Sequence, residues 1–333
     1  MTAVTPTALL AMAWLLANQT APPSALPAAP TGPVVPTAPA VPPKPGPWNN
    51  AVEVRRFGSD GTAELVATFD HADVCTVARL PDGRIIAAFQ GYPPDRPQDF
   101  DRVAVRFSSD EGRSWTAAQP IAITGIDAGL APPFDPTLVP LPDGRVRLYF
   151  TSHPGSDEQP GQTAIHSAVS ADGIHFVGEP GIRFCVEGRV VIDCAAALHG
   201  GKFHLIVPDN GTPAEFLARR QAGESPIGGN GYHATSVDGL TFQRAADLPL
   251  TPVHNRWFGN LLSDGRTLSF FGTGPGPWPM TSADGFAWNA APSPMRVPGV
   301  DPAVLALKDG ARLVLSTRAP GPASNYPAHP PAP

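Results

Sequence analysis

The sequence predicts an all-β chain folded as a five-bladed β-propeller of four-stranded antiparallel blades, the last blade closed by N-terminal strands. Three observations predict it. A tight turn recurs four times, a strand–turn–strand recurs five times, and the half-unit missing at the C-terminal end occurs at the N-terminal end. Self-similarity along a chain marks an array that buries its core by stacking copies of one unit.

The turn reads Ser108-Ser109-Asp110-Glu111-Gly112-Arg113-Ser114-Trp115 in its first copy. Shorter copies are Ser170-Ala171-Asp172-Gly173-Ile174-His175-Phe176, Ser236-Val237-Asp238-Gly239-Leu240-Thr241-Phe242 and Ser282-Ala283-Asp284-Gly285-Phe286-Ala287-Trp288. Asp accepts hydrogen bonds from turn amides, Gly permits a positive φ, and the aromatic residue anchors the next strand. Asp110, Asp172, Asp238 and Asp284 are therefore read as scaffold.

The strand–turn–strand runs over residues 73–89, 135–150, 193–206, 260–271 and 301–315. Its hairpin is Asp82-Gly83, Asp143-Gly144, Gly200-Gly201, Asp264-Gly265 and Asp309-Gly310. Asp-Gly between alternating apolar runs is a strong hairpin signal. Each unit is thus two hairpin-joined strands, a variable loop, a third strand, the Ser-x-Asp-Gly turn and a fourth strand. Five first halves are followed by four second halves. Residues 52–68, with Gly58-Ser59-Asp60-Gly61 at their centre, supply the fifth. Pairing them with residues 301–317 closes the ring and leaves no open edge between first and last units.

The abundance of Pro (43) and Gly (33), with only 16% charged residues, suits short strands joined by tight turns. The net charge of −6 and the lack of a basic block give nucleic acid no footprint. Residues 8–17 form an apolar run of signal-peptide length, too short to span a bilayer. The expected organisation is a signal peptide over 1–21, a Pro/Ala-rich disordered linker over 22–48, the propeller over 49–318 and a Pro-rich disordered tail over 319–333. A secreted or periplasmic monomer is expected. Cys75, Cys185 and Cys194 have no zinc spacing, and both a Cys185–Cys194 disulfide and buried free thiols are open readings.

The longer turn resembles the Asp box of sialidases and other BNR-repeat proteins. The shorter turns, with an Asp at the head of four of the five units, resemble the five-bladed glycoside hydrolases, which include arabinanases, xylosidases, levansucrases and invertases. In such propellers the head of the innermost strand opens on the ligand face. The resemblance therefore places Asp73, Asp135, Asp193 and Asp301 around one mouth, with Asn260 at the fourth position. Paired carboxylates can cleave a glycosidic bond, one as proton donor and one as nucleophile or base. The arabinanase-like pattern implies base or nucleophile for Asp73 and a pKa-tuning role for Asp135. Asp193 stands where that pattern has the Glu general acid, with Glu187 and Glu215 as substitutes.

Further binding candidates are Asp301 and His71, which lies two residues before Asp73, together with His153 and Arg256. Trp257 and Trp278 offer faces for sugar stacking. The loop 209–232, with Arg219 and Arg220, is a candidate lid. No cofactor is firmly implied, although a carboxylate ring raises the expectation of an axial Ca²⁺, which takes oxygen ligands. The partner expected is an oligo- or polysaccharide. Three functions remain open: a glycoside hydrolase, a non-catalytic glycan- or protein-binding propeller, and a sialidase-like enzyme recognising a carboxylate through Arg96, Arg102, Arg256 and Arg318.

Overall fold

The computed structural model describes residues 46–155, 163–222, 231–248, 259–273, 279–290 and 299–318. These build five radial sheets. From the axis outward, blade one is Ala72–Arg79, Ile85–Gly91, Arg102–Ser108 and Gln119–Pro120. Blade two is Phe134–Pro140, Val146–Ser152, Ala164–Ser170 and His175–Phe184. Blade three is Ala195–His199, Lys202–Pro208, Gly231–Ser236 and Gln243–Arg244. Blade four is Asn260–Ser263, Leu268–Phe271, Met280–Ser282 and Asn289–Ala290.

Blade five joins the two ends of the chain. Its inner strands are Val300–Ala306 and Arg312–Arg318, and its outer strands are Ala51–Phe57 and Ala63–Asp70. Ala51 pairs with Arg318 and Phe57 with Arg312 in one unbroken antiparallel register. The expected four-stranded pattern has one addition. Ala122–Thr124 leaves blade one and pairs in parallel with His175–Phe184, giving blade two a fifth, outermost strand.

The core is divided among the joints between blades. Val54 and Leu315 of blade five pack with Val77 and Phe89 of blade one. Ile86 and Phe107 of blade one pack with Leu148 and Phe176 of blade two. Tyr149 and Ile165 pack with Leu205 and Val207 across the next joint. Ile206 meets Phe270 between blades three and four, and Phe271 meets Val304 between four and five. Alternation along each strand sends one face into each joint, so both faces are apolar.

The Ser-x-Asp-Gly turns share one geometry. In blade three the Ser236 hydroxyl donates to Asp238 Oδ1 at 2.7 Å and accepts from Gly239 N at 2.9 Å. Asp238 Oδ1 also accepts from Leu240 N and Thr241 N. These donors hold the Asp110, Asp238 and Asp284 carboxyls down near 2. Each turn also touches the second strand of the preceding blade. Gly112 lies against Leu313, Gly173 against Ile86, Gly239 against Arg147 and Tyr149, and Gly285 against His204. A Cβ at Gly239 would fall 2.1 Å from Arg147 Nη1 at a φ of +71°, so only glycine fits both the turn and the joint.

At the opposite ends of the blades a second stitch repeats. The amides of Val74, Asp193 and Asp301, at the heads of inner strands, donate to the hydroxyls of Thr317, Thr151 and Thr273 in the preceding blades. Every stitched joint thus holds the strand heads that carry the aspartates.

Of the two open readings for the cysteines the structure has the free thiols: Cys75 and Cys194 are buried, Cys194 against blade two, whereas Cys185 is exposed rather than buried. Among the described residues no helix is long and apolar enough to cross a membrane.

Candidate active site at the propeller mouth

The heads of three inner strands are irregular. Pairing slips between Asp73 and Cys75, between Phe134 and Thr137, and between Val300 and Ala303. Asp135, Asp193 and Asp301 have φ of 51°, 66° and 53°. Asp tolerates this left-handed conformation better than most residues. Pro136 and Pro302 follow two of them, at positions where a bulge asks no amide of the ladder. In blade one the positive φ falls instead on Val74, at 37°, whose amide is held by both Asp73 Oδ1 and Thr317 Oγ1.

The bulges bring the four aspartates into one electrostatic unit. Asp193 feels the charges of Asp135 and Asp301, Asp301 feels Asp73 and Asp135, and Asp135 feels Asp73 and Asp101. Asp193 and Asp301 are buried, and Asp193 Oδ2 and Asp301 Oδ1 have no hydrogen-bond partner among the described residues. Burial, then the neighbouring carboxylates, push both groups well above the usual carboxylate range. Burial also raises Asp73, opposed by hydrogen bonds from Val74 N and the Asn50 amide. Asp135 is only partly covered. Burial beside Asp73 and Asp101 pushes it up to about 7.

Asp73 and Asp135 differ in their hydrogen-bond donors. Asp73 accepts from Val74 N on Oδ1 at 2.9 Å and from Asn50 Nδ2 on Oδ2 at 2.9 Å, so both oxygens are fixed as acceptors. Donors of this kind favour the charged form. Asp135 is raised by burial and by the Asp73 and Asp101 carboxylates, with no hydrogen bond from the described residues opposing them, and so favours the proton. Environments that separate two carboxyls in this way define an acid and a base.

Other expected residues fall in several places. His71 lies on the rim just before the inner strand of blade one, and its Nδ1 bonds the Trp48 carbonyl at 2.9 Å. It does not orient Asp73; Asn50 does. His153, at the end of the second strand of blade two, bonds the Pro154 carbonyl and meets the Phe134 ring edge-on. Arg256, Trp257 and Trp278 lie outside the described residues.

Neither substitute for the missing Glu is placed for proton donation. Glu215 caps the helix Pro213–Ala222, accepting from Thr212 N at 2.7 Å, and that bond holds its carboxyl below the usual range. A general acid needs the opposite shift. Glu187 sits exposed in the turn after blade two. The expected lid, 209–232, carries that capped helix, and residues 223–230 lie outside the described residues.

Three of the four arginines expected to converge on a carboxylate are engaged elsewhere, and the fourth, Arg256, lies outside the described residues. Arg318 binds Glu53, Arg96 faces Asp95 and Asp99, and Arg102 donates to the Asp101 carbonyl. Ca²⁺ takes roughly six to eight oxygen ligands. Among the described residues no group of three or more His, Cys, Asp or Glu is arranged to hold a metal ion, so the aspartates do not fit an axial Ca²⁺ cage.

Several mouth residues carry no repeat signal and were not among the expected ones. Asn50 precedes the first strand. Tyr92 follows the second strand of blade one, beside Asp101, Asp73 and Asp135. Asp101 precedes the third strand and accepts from Gln90 Nε2 at 2.7 Å. Trp48 and Phe100 stand exposed next to Tyr92.

Comparison with protein-family models and with curated proteins finds no match. Solved structures similar to this chain include a thermostable family-43 glycoside hydrolase, with a TM-score of 0.51 and 10% identity, covering 79% of this chain and 95% of that one. They also include an α-L-arabinofuranosidase from Lactobacillus brevis, with a TM-score of 0.50 and 13% identity, covering 74% and 83%. The chain is a five-bladed β-propeller similar in fold to these glycoside hydrolases.

Proposed function

We propose that this chain hydrolyses glycosidic bonds at the axial mouth, with Asp135 as the proton donor and Asp73 as the nucleophile or base. The observation that carries this reading is the contrast between the two coupled carboxyls: Asp73 has a donor on each oxygen, and Asp135 is pushed up to about 7. In the first step the Asp135 acid gives its proton to the glycosidic oxygen as the bond from that oxygen to the anomeric carbon breaks. The Asp73 carboxylate either forms the new bond to that carbon or takes a proton from the water that does. Burial and the neighbouring carboxylates push Asp193 and Asp301 well above the usual carboxylate range, which favours their protonated forms and so limits the negative charge facing the substrate. Export through residues 1–21 to a secreted or periplasmic site belongs to the same proposal, because polymeric glycans are met outside the cytoplasm.

The test is a screen of aryl glycosides, α-L-arabinofuranosides and β-D-xylosides among them, on the wild type, Asp73→Asn and Asp135→Asn. Asp73→Asn is expected to lose about 10²–10⁴-fold with every leaving group. Asp135→Asn is expected to lose as much with unactivated leaving groups but far less with nitrophenyl ones, which depart without a proton. The wild-type rate should fall as pH rises through about 7, where Asp135 ionises. A wild type that cleaves nothing, or variants that keep full activity, would overturn the assignment and favour a propeller that only binds glycans.

A further inference from the structure

We infer that the segment just before the first blade strand forms part of the mouth and builds an aromatic subsite for a neutral sugar ring. The inference deepens the proposed function and rests on its placing of the ligand face. Residues 47–49 form one turn of 3-10 helix, closed by Asn49 N to the Gly46 carbonyl at 2.9 Å and Asn50 N to the Pro47 carbonyl at 3.0 Å. Two side-chain bonds tie this turn to blade one. His71 Nδ1 donates to the Trp48 carbonyl at 2.9 Å, and Asn50 Nδ2 donates to Asp73 Oδ2 at 2.9 Å.

Trp48 is thereby fixed beside the carboxylates. Its indole folds over Gly46, where a Cβ would fall 2.4 Å from the ring carbons. A side chain at position 46 would displace the indole from this place. Across from it, Phe100 lies 6.3 Å away between ring centroids, and Phe100 in turn meets Tyr92 edge-on at 5.3 Å. Backbone bonds hold these rings from the other side, from Tyr92 N to the His71 carbonyl at 2.8 Å and from Asp101 N to the Gly91 carbonyl at 2.9 Å. Tyr92 is buried, whereas Trp48 and Phe100 remain 41% and 40% exposed.

Two exposed aromatic rings, anchored from below and bordered by polar groups, match the composition of small-molecule sites. The occupant that fits is an uncharged pentose or hexose unit. The C–H bonds on one face of a sugar ring carry partial positive charge and suit the negative face of an aromatic ring. Its hydroxyls are met by groups already in place. With Nδ1 engaged by the Trp48 carbonyl, His71 has Nε2 left for a hydroxyl, and Asp101 next to Phe100 presents a carboxyl group. The subsite adjoins Asp73 through Asn50 and Asp135 through Asp101 and Tyr92. A chain of linked sugars running from Trp48 into the mouth would cross both.

The test measures binding, not turnover, on the full chain carrying Asp135→Asn, which leaves the Asn50–Asp73 bond in place. The probes are arabinohexaose, xylohexaose and cellohexaose, titrated calorimetrically and by the indole N–H resonance of Trp48. At least one is expected to bind and to shift that resonance. Trp48→Ala and Phe100→Ala in the same background should each weaken binding by about tenfold or more, and Trp48→Phe should recover part of it. Melting temperatures should be little changed, because both rings lie outside the joint cores. Binding that survives both alanine variants unchanged, or no binding by any of the three probes, overturns the subsite. The outcome is separable from hydrolysis: a wild type that binds these probes through Trp48 but cleaves nothing keeps the subsite and removes the enzyme.

Discussion

Aspartate takes opposite roles at the two ends of the same blades. At the turn end, Asp238 accepts from Ser236 and two amides and stays ionised well below neutral pH. At the mouth end, Asp135 is covered and faces other carboxylates, and it keeps its proton to about pH 7. This has a consequence for stability. The native Asp135 carboxyl is protonated up to about 7, whereas the unfolded one ionises near 3.8. Its contribution to stability is therefore fully present below pH 3.8 and is lost as pH rises through 7. Asp135→Asn, which mimics the protonated form, is expected to raise stability at pH 8 by roughly 2 kcal/mol. At pH 4 it should change little. Melting curves of both proteins at the two pH values would measure this. A variant no more stable than wild type at pH 8 would remove the case for an unusual carboxyl there.

The same reading extends to the joint between blades three and four. His199, His204 and His233 are all buried in it. His204 Nδ1 lies 3.1 Å from His233 Nε2, the rings stack at 5.3 Å, and Phe286 of the next blade closes over both. His199 fastens blade three to blade four through Ser263 Oγ and the Ala283 carbonyl. Burial, with His233, His199 and Lys202 nearby and only Asp284 opposing, holds His204 down to about 4. Here the sign is reversed. The unfolded chain gains a proton near pH 6.5 that the native joint refuses until about 4. This histidine's contribution is thus present above 6.5 and lost as pH falls through 4. Unfolding measured from pH 7 to 4 should show His204→Gln losing less stability than wild type, the difference reaching up to about 3 kcal/mol. Parallel curves for the two proteins would refute it.

Element by element, legibility in the sequence followed periodicity. Hairpins and turns repeat, so blade number could be counted, and the leading aspartates could be placed on one face because they share a position in the unit. Asn50, Trp48, Tyr92, Phe100 and Asp101 have no such register. They lie before the first blade or in the loop joining its second and third strands, where length and composition differ from blade to blade. Trp48 stands at the end of a Pro-rich stretch that reads as linker, and its bond to His71 together with the Asn50–Asp73 bond brings it to the mouth. Glu215 shows the converse. It lay in a loop expected to face the mouth, but its spacing from Thr212 makes it a helix cap.

At the scale of the whole molecule, closure by the N-terminal strands does two jobs. It supplies the outer half of blade five, and it delivers Asn50 to Asp73 and Trp48 to the rim. Val52, Val54, Phe57 and Phe69 are all buried, and Glu53 spans Arg55 and Arg318 across the seam. A chain beginning at residue 72 would leave Arg312–Arg318 as an open edge and uncover the apolar joint to blade one. Loss of four buried apolar side chains costs more than the whole stability of an ordinary domain, so that chain is expected to show no cooperative melt. The missing strands act by pairing, not by covalent continuity, so a peptide of residues 46–71 added in trans should restore the melt. The same peptide carrying Asn50→Ala should restore folding while leaving Asp73 Oδ2 without its donor and raising that carboxyl further. A truncated chain that folds alone would place the closure of the ring elsewhere. If the Asn50→Ala peptide restored full activity across the pH range, the N-terminal segment would serve the fold alone.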